Sequence, residues 1–304
     1  MPIQRLNRPT PWESILVGDI TSLFDHTPFS ESFMPSLKSA QPSPELRPFV
    51  RAYAQRTIDC TDVSVIEPVP AQLEQVLNFE LGVMPGVRHR QYEIFHRIFI
   101  GGAQTSFTGY MDLHPGVESF AIFFQPAGWS QLFSIPMCEI TNHVYDASAM
   151  MGSLVRELWN RLGAARSFES RVAIVEEFLL KQVAFATTQD KIAAAANYLF
   201  HMRGAITIPK LASRDSLGLR QFERRFLRET GASPKIFARV ARFQAALDAR
   251  IASPNRSWVD IAHSFGYYDQ MHMIHDFEKL GRHTPTHLVT QMGDVRPPAL
   301  ASAM

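Results

Sequence analysis

The sequence predicts an α+β chain. A β-rich, barrel-like N-terminal domain carrying an αα-hairpin precedes an all-α domain of two helix-turn-helix units joined by a linker helix. Short aromatic and β-branched runs broken by turns fill the stretch from about 46 to 135. Beyond Pro136 apolar residues recur three and four apart, the helical period. Finally, LRQFERRFLRETGASP (219–234) is echoed by DQMHMIHDFEKLGRHTP (269–285): Phe226 and Phe277 each stand eight residues before a Pro, and each copy has a Gly and a Ser/Thr-Pro ending.

Residues 1–45 contain seven prolines, from Pro2 to Pro44, too closely spaced for long helices. They read as an extended lead-in with one short strand around Ile15–Ile20. The domain of 46–186 follows. EIFHRIFIGG, TSFTGYMDL and ESFAIFFQP are strands divided by Gly-Gly, His-Pro-Gly and Pro-Ala-Gly, the grammar of a small barrel or sandwich. From about 147 to 185 two amphipathic helices form the hairpin. Met151, Leu154, Leu158 and Leu162 make one stripe; Val172, Val175, Leu179 and Val183 make the other. Such a hairpin either covers the barrel or pairs with another subunit. TTQD (187–190) is a linker, 190–290 is helical, and 291–304 is a tail with too little apolar content to add a core.

Within 190–290 the first unit pairs a helix capped by Thr207, through Pro209, Leu211 and Ala212, with a helix from Leu219 to Thr230. Phe222, Phe226 and Leu227 share one face of the second helix and Arg220, Glu223, Arg224 and Arg228 take the others. The second unit repeats this with Val259–Ala262, a break at Gly266–Tyr268, Asp269 as N-cap, and Met273 and Phe277 as the buried face. Ser233-Pro234 starts the joining helix, on which Ile236, Val240, Phe243, Leu247 and Ile251 form one stripe. Two such units on a rigid helix can enter successive major grooves of duplex DNA, one helical turn or roughly 34 Å apart.

Composition narrows the function further. With 46% hydrophobic and 19% charged residues the chain is expected to be globular rather than disordered. Its net charge is only +1, but residues 205–289 hold 13 Lys/Arg against 8 Asp/Glu, so the basic charge sits at the helical end. Lys210–Arg242 has nine basic and three acidic residues; Arg256–Arg282 has three and four. Because phosphate neutralisation drives nonspecific DNA affinity, the first unit and the linker helix are expected to supply most of it. Two cysteines, Cys60 and Cys138, read as buried or inert thiols in a reducing compartment. The N-terminal segment lacks a signal-peptide core and no run is long enough to span a membrane, so a cytoplasmic protein without membrane contact is expected.

The residues LASRDSLGLRQFERRFLRETGASPKIFARVARFQAAL and WVDIAHSFGYYDQMHMIHDFEKLGRHTP, above all the Gly-Tyr-Tyr-Asp-Gln-x-His run, make 190–290 resemble the DNA-binding domain of AraC/XylS-type transcriptional regulators. PSPELRPFVRAY, PAGWSQLF and the helices after them are similar to the sensory or dimerisation half of one AraC-type subgroup. The resemblance implies base contacts by Arg220, Glu223 and Arg224 in the first unit and by Gln270, Met271 and His275 in the second. Gln221, Arg225 and Arg228 are the implied phosphate contacts, with Lys210 and His272 completing that set. The chain departs from the pattern at Ser216, where a Gly is expected, and at Gly218, where a capping Ser is expected; the second costs a few tenths of a kcal/mol of capping. Implied partners are double-stranded DNA, RNA polymerase, a small-molecule effector and a second copy of the chain, with no cofactor or metal.

Two other readings compete for the β-rich half. Phe120, Phe123, Phe124 and Trp129 either line an effector pocket or are ordinary core. His89, His96 and His114 could ligate a metal in a cupin-like enzyme domain fused to the DNA-binding domain, but they lack a His-x-His pair and a nearby carboxylate. No Gly-x-Ser-x-Gly elbow supports a hydrolase. The expectation is therefore a regulator without catalytic activity.

Overall fold

A computed structural model of the chain describes residues 36–59, 64–89, 96–186, 191–214 and 217–292. The expected strand near Ile15–Ile20, Cys60, the 187–190 linker, Ser216 and the tail beyond Met292 lie outside the described residues.

In the N-terminal half β1 (Ser36–Ala40), β2 (Val50–Thr57), β8 (Glu118–Phe124), β4 (Gln75–Glu80), β6 (Ile98–Gly101) and β9 (Val144–Asp146) lie in that order in one antiparallel sheet. A second sheet has the order β3 (Val65–Val69), β7 (Gly109–Leu113) and β5 (Gly86–His89). β1 falls inside the span read as a lead-in. Pro35 and Pro42 flank this strand rather than interrupt it, and an edge strand needs a partner on one side only.

Alternation of side chains along each strand gives the large sheet two buried faces. On one, Tyr53, Leu77, Phe79, Ile100, Phe120, Ile122 and Phe124 are fully buried. They pack against α1 (Gly128–Phe133), α3 (Ser153–Ala164) and α4 (Phe168–Val183). Trp129 of α1 meets Phe124 edge-on, with ring centroids 5.2 Å apart. The helical hairpin therefore covers the sheet. Its buried stripes are Val155, Leu158 and Leu162 on α3, and Phe168, Val175, Phe178 and Leu179 on α4. Leu154 is exposed instead, because Gly152 (φ 65°) ends the short α2 (Ala147–Met151) and the stripe restarts one residue later. Cys138 is a free, exposed thiol rather than a buried one.

The helical half contains α5 (Lys191–His201), α6 (Ile208–Arg214), α7 (Leu219–Thr230), α8 (Pro234–Ala252), α9 (Trp258–Ser264), α10 (Gln270–Gly281) and α11 (Pro285–Met292). α8 is its axis, starting at the Ser233 cap, whose hydroxyl accepts from the Ile236 amide. Val240, Phe243 and Leu247 are fully buried, as expected, but Ile236 is 44% exposed. The buried arc instead widens to Phe237, Ala241, Gln244, Ala245 and Asp248, since α8 is packed by both helical units and by the N-terminal half.

That last contact was not foreseen. The loop from 70 to 74, between β3 and β4, enters the helical half, and its Ala71 and Leu73 belong to the helical core. The Ala71 amide donates to the Leu280 carbonyl (2.9 Å) and the Leu73 amide to Gln244 Oε1 (3.1 Å). Gln244 Nε2 donates to Glu74 Oε2 (2.6 Å), and the other Glu74 oxygen is ion-paired to Arg51. The Arg51 guanidinium also lies over the Phe200 ring, 4.6 Å from its centre. Among the described residues no helix is long and apolar enough to cross a membrane.

Candidate nucleic-acid interface

α7 is held by Phe222, Phe226 and Thr230, all essentially inaccessible. Phe226 meets Phe237 of α8 edge-on at 5.2 Å between ring centres. The opposite face carries Arg220, Gln221, Glu223, Arg224 and Arg228, all exposed. Arg220, Arg224 and Arg228 stand four apart and form one row. Arg225 is half-buried and turned towards Glu229, 3.4 Å away. Lys210 is exposed at the first helix of the unit. Gly218 caps α7 without a side-chain hydrogen bond, as its lack of a side chain dictates. Leu227, expected on the buried face, is 41% exposed beside the arginine row.

At its other end α7 stops at Gly231, whose φ of 84° is in the left-handed region. A Cβ there would lie 2.5 Å from Thr141 Oγ1, and the Thr141 hydroxyl donates to the Gly231 carbonyl (2.6 Å). The N-terminal half thus grips the C-terminal end of α7 through a 3-10 turn (Met137–Glu139) and Thr141. The arginine row stays uncovered.

In the second unit Met273, Asp276, Phe277 and Leu280 anchor α10. Asp269 caps it, accepting from the His272 amide (2.7 Å). Met271 (69% exposed), His272 and His275 face solvent, and Gln270 is half-buried. Tyr268, 89% exposed, belongs with them and was missed. Its sequence signal is a Tyr-Tyr pair of which only Tyr267 packs inward, and a tyrosine hydroxyl is a common phosphate donor.

The linker helix corrects the charge expectation. Arg239 Nε and Nη2 both donate to Asp276 Oδ1 (2.7 and 2.5 Å), with Asp276 almost wholly buried. Arg242 lies over Tyr267 at 5.4 Å and Arg250 over Trp258 at 5.1 Å. These arginines hold the second unit on α8. Between Lys210 and Arg242 the exposed cations are Lys210, Arg214, Arg220, Arg224, Arg228 and Lys235, five of them on the first unit. Alanine at Arg224 is expected to weaken duplex binding by about 1–3 kcal/mol and relax base preference, with a smaller loss for His275→Ala. A competition titration giving equal losses would remove the asymmetry.

A cavity of about 210 Å³ lies between the two sheets. The unused face of the large sheet floors it in cross-strand rows. Arg56, Ser119 and Glu80 make the first, Ala54, Ala121, Asn78 and Phe99 the second, and Phe123, Val76 and Gly101 the third. Of the four aromatics considered for an effector pocket, only Phe123 lines it. Phe120 and Phe124 lie on the helix-covered face, because neighbours in a strand point to opposite sides, and Trp129 of α1 packs on Phe124 there. Glu67 of β3 and Met111 of β7 form part of the roof, and Met292 of α11 reaches the wall. Arg56 and Glu67 pair across the gap at 2.9 Å. Glu80 accepts from Ser119 Oγ and Asn78 Nδ2, both at 2.6 Å. Burial pushes the Glu80 carboxyl up from 4.5 to about 7, against the pull of those two donors and of Arg56 and Arg97. His96 is half-buried at the cavity, His114 is not among its lining residues, and nothing is described of the His89 side chain. Among the described residues no three His, Cys, Asp or Glu side chains converge as a metal site would require.

Comparison with known proteins gives two family matches. A helix-turn-helix domain family matches residues 211–291, and a family described as a domain of unknown function matches residues 38–146. No curated protein matches the sequence. Among solved structures, ToxT from Vibrio cholerae O395 is 9% identical, covering 86% of this chain and 98% of its own with a TM-score of 0.45. An unsaturated-fatty-acid-bound ToxT from V. cholerae strain SCE256 is 8% identical, covering 75% and 94%, with a TM-score of 0.41. The AraC-like transcriptional activator CuxR is 12% identical, covering 69% and 86%, with a TM-score of 0.22.

Proposed function

Since residues 211–291 form a helix-turn-helix domain of AraC type, we propose that the protein is a sequence-specific regulator of transcription that reads double-stranded DNA through both units. The observation that carries this reading is the matched pair α7 and α10. Each is anchored on α8 by buried phenylalanine and presents an uncovered polar face. Arg220, Glu223 and Arg224 contact base edges in one major groove, with Gln221, Arg225, Arg228 and Lys210 on the backbone. Gln270, Met271 and His275 do the same in the next, with His272 and Tyr268 at the helix entrance. The first unit holds the duplex electrostatically; the second adds edge and shape contacts.

The N-terminal half is the sensory part. A small molecule in the cavity between the sheets controls DNA binding, and Met292 of α11 brings the helical half within reach of that molecule. This reading includes contact with RNA polymerase and pairing of two copies, and involves no catalytic step or cofactor. Selection of bound sequences from a random duplex pool by the full chain tests it. A motif of two unequal half-sites about one turn apart is expected; absence of any enriched motif would overturn the reading.

A further inference from the structure

The cavity's chemistry narrows what the effector is. Most of the wall is apolar: Leu37, Val76, Phe99, Met111, Phe123 and Met292. Its volume, about 210 Å³, falls below the roughly 300–1,000 Å³ of sites for drug-sized ligands, so the occupant is small. The polar end holds three charged groups. One is the Arg56 guanidinium, already neutralised by Glu67 across the gap. The third is Glu80, 3% exposed and held by two neutral donors, Asn78 and Ser119. Among the described lining residues two carboxylates, Glu67 and Glu80, therefore share one guanidinium.

We propose that the effector is a small amine with an apolar body, its ammonium group set against Glu80 and its body filling the space over Val76, Phe99 and Phe123. This deepens, and rests on, the reading of the cavity as the effector site. A carboxylate ligand would meet Glu80 and Glu67, and Arg56, the one guanidinium among the described lining residues, is already paired with Glu67. A ligand without a charge would add nothing to the pull of Arg56 and Arg97, which alone do not offset the burial of Glu80. An ammonium supplies both the missing charge and a donor for a carboxylate, the strong class of hydrogen bond.

Isothermal titration of the full chain at about pH 8, where Glu80 is mostly ionised, compares three probes of one shape: 2-phenylethylamine, 2-phenylethanol and 3-phenylpropanoate. The amine is expected to bind at least about tenfold tighter than the alcohol, a gap of ~1.4 kcal/mol, with the acid weakest. Glu80→Gln should weaken the amine and erase its advantage over the alcohol, and Ala121→Leu, which fills the floor, should abolish binding of both. Tighter binding of the acid, no binding of the amine, or amine binding indifferent to both substitutions would overturn the proposal. The duplex selection reports separately. An enriched motif without amine binding sinks only the ligand assignment, and amine binding without a motif sinks only the regulator reading.

Discussion

Replacing Glu74 by alanine is expected to lower the unfolding free energy of the full chain by about 3–5 kcal/mol. Glu74 is 2% exposed and both of its oxygens are used, one by Arg51 and one by Gln244. Removing it takes from the Arg51 guanidinium, itself 3% exposed and lying over the Phe200 ring, its buried carboxylate partner. Taking the carboxylate partner from a buried charge costs far more than breaking a surface pair, which is worth about 0–1 kcal/mol. Glu74→Gln, which keeps the shape and one acceptor, should cost less than Glu74→Ala. Urea denaturation of the three proteins checks the order, and a loss below about 1 kcal/mol for the alanine variant would show that the network is not buried as described.

The second large effect is pH-dependent and belongs to Glu80. Its carboxyl is raised to about 7 in the folded chain, from 4.5. Between these values the folded chain keeps a proton that the unfolded chain has released, so stability from this group is complete below pH 4.5 and is lost as pH rises through 7. Glu80→Gln has no such proton to lose. Its stability relative to the parent is expected to improve by about 3 kcal/mol between roughly pH 4 and pH 8. Parallel denaturation curves across that range, with a constant difference between the two proteins, would show that Glu80 ionises as easily as a surface carboxylate.

Much of the helical half was legible because its buried positions recur with the period of the helix. Phe222, Phe226, Met273 and Phe277 stand where periodicity put them, as do the Ser233 and Asp269 caps. The exposed faces of α7 and α10 were legible for the same reason, by subtraction. The faces of β8 were not. ESFAIFF is covered on both sides, so its apolar run conceals which aromatics point where, and only the pairing of Ala121 with Asn78 and Phe123 with Val76 separates cavity from core. The roles of Arg239 and Arg242 were equally hidden. A charge count treats all arginines alike, while Asp276 and Tyr267, which occupy these two, lie dozens of residues away. Nothing in PAQLE (70–74) marks it as interior, since Gln244, the partner of Leu73, lies 171 residues further on.

That loop also has a consequence for how the protein is made. Synthesis runs from the N-terminus, so Ala71 and Leu73 leave the ribosome long before the helices that will enclose them. The helical half, although its own contacts are mostly local, closes its interior only after a connection across more than a hundred and fifty residues, the kind that slows folding. A helical half produced alone would lack two of its own interior side chains. Exchange of this half between proteins would have to carry the loop along, or replace it with another peptide of the same shape.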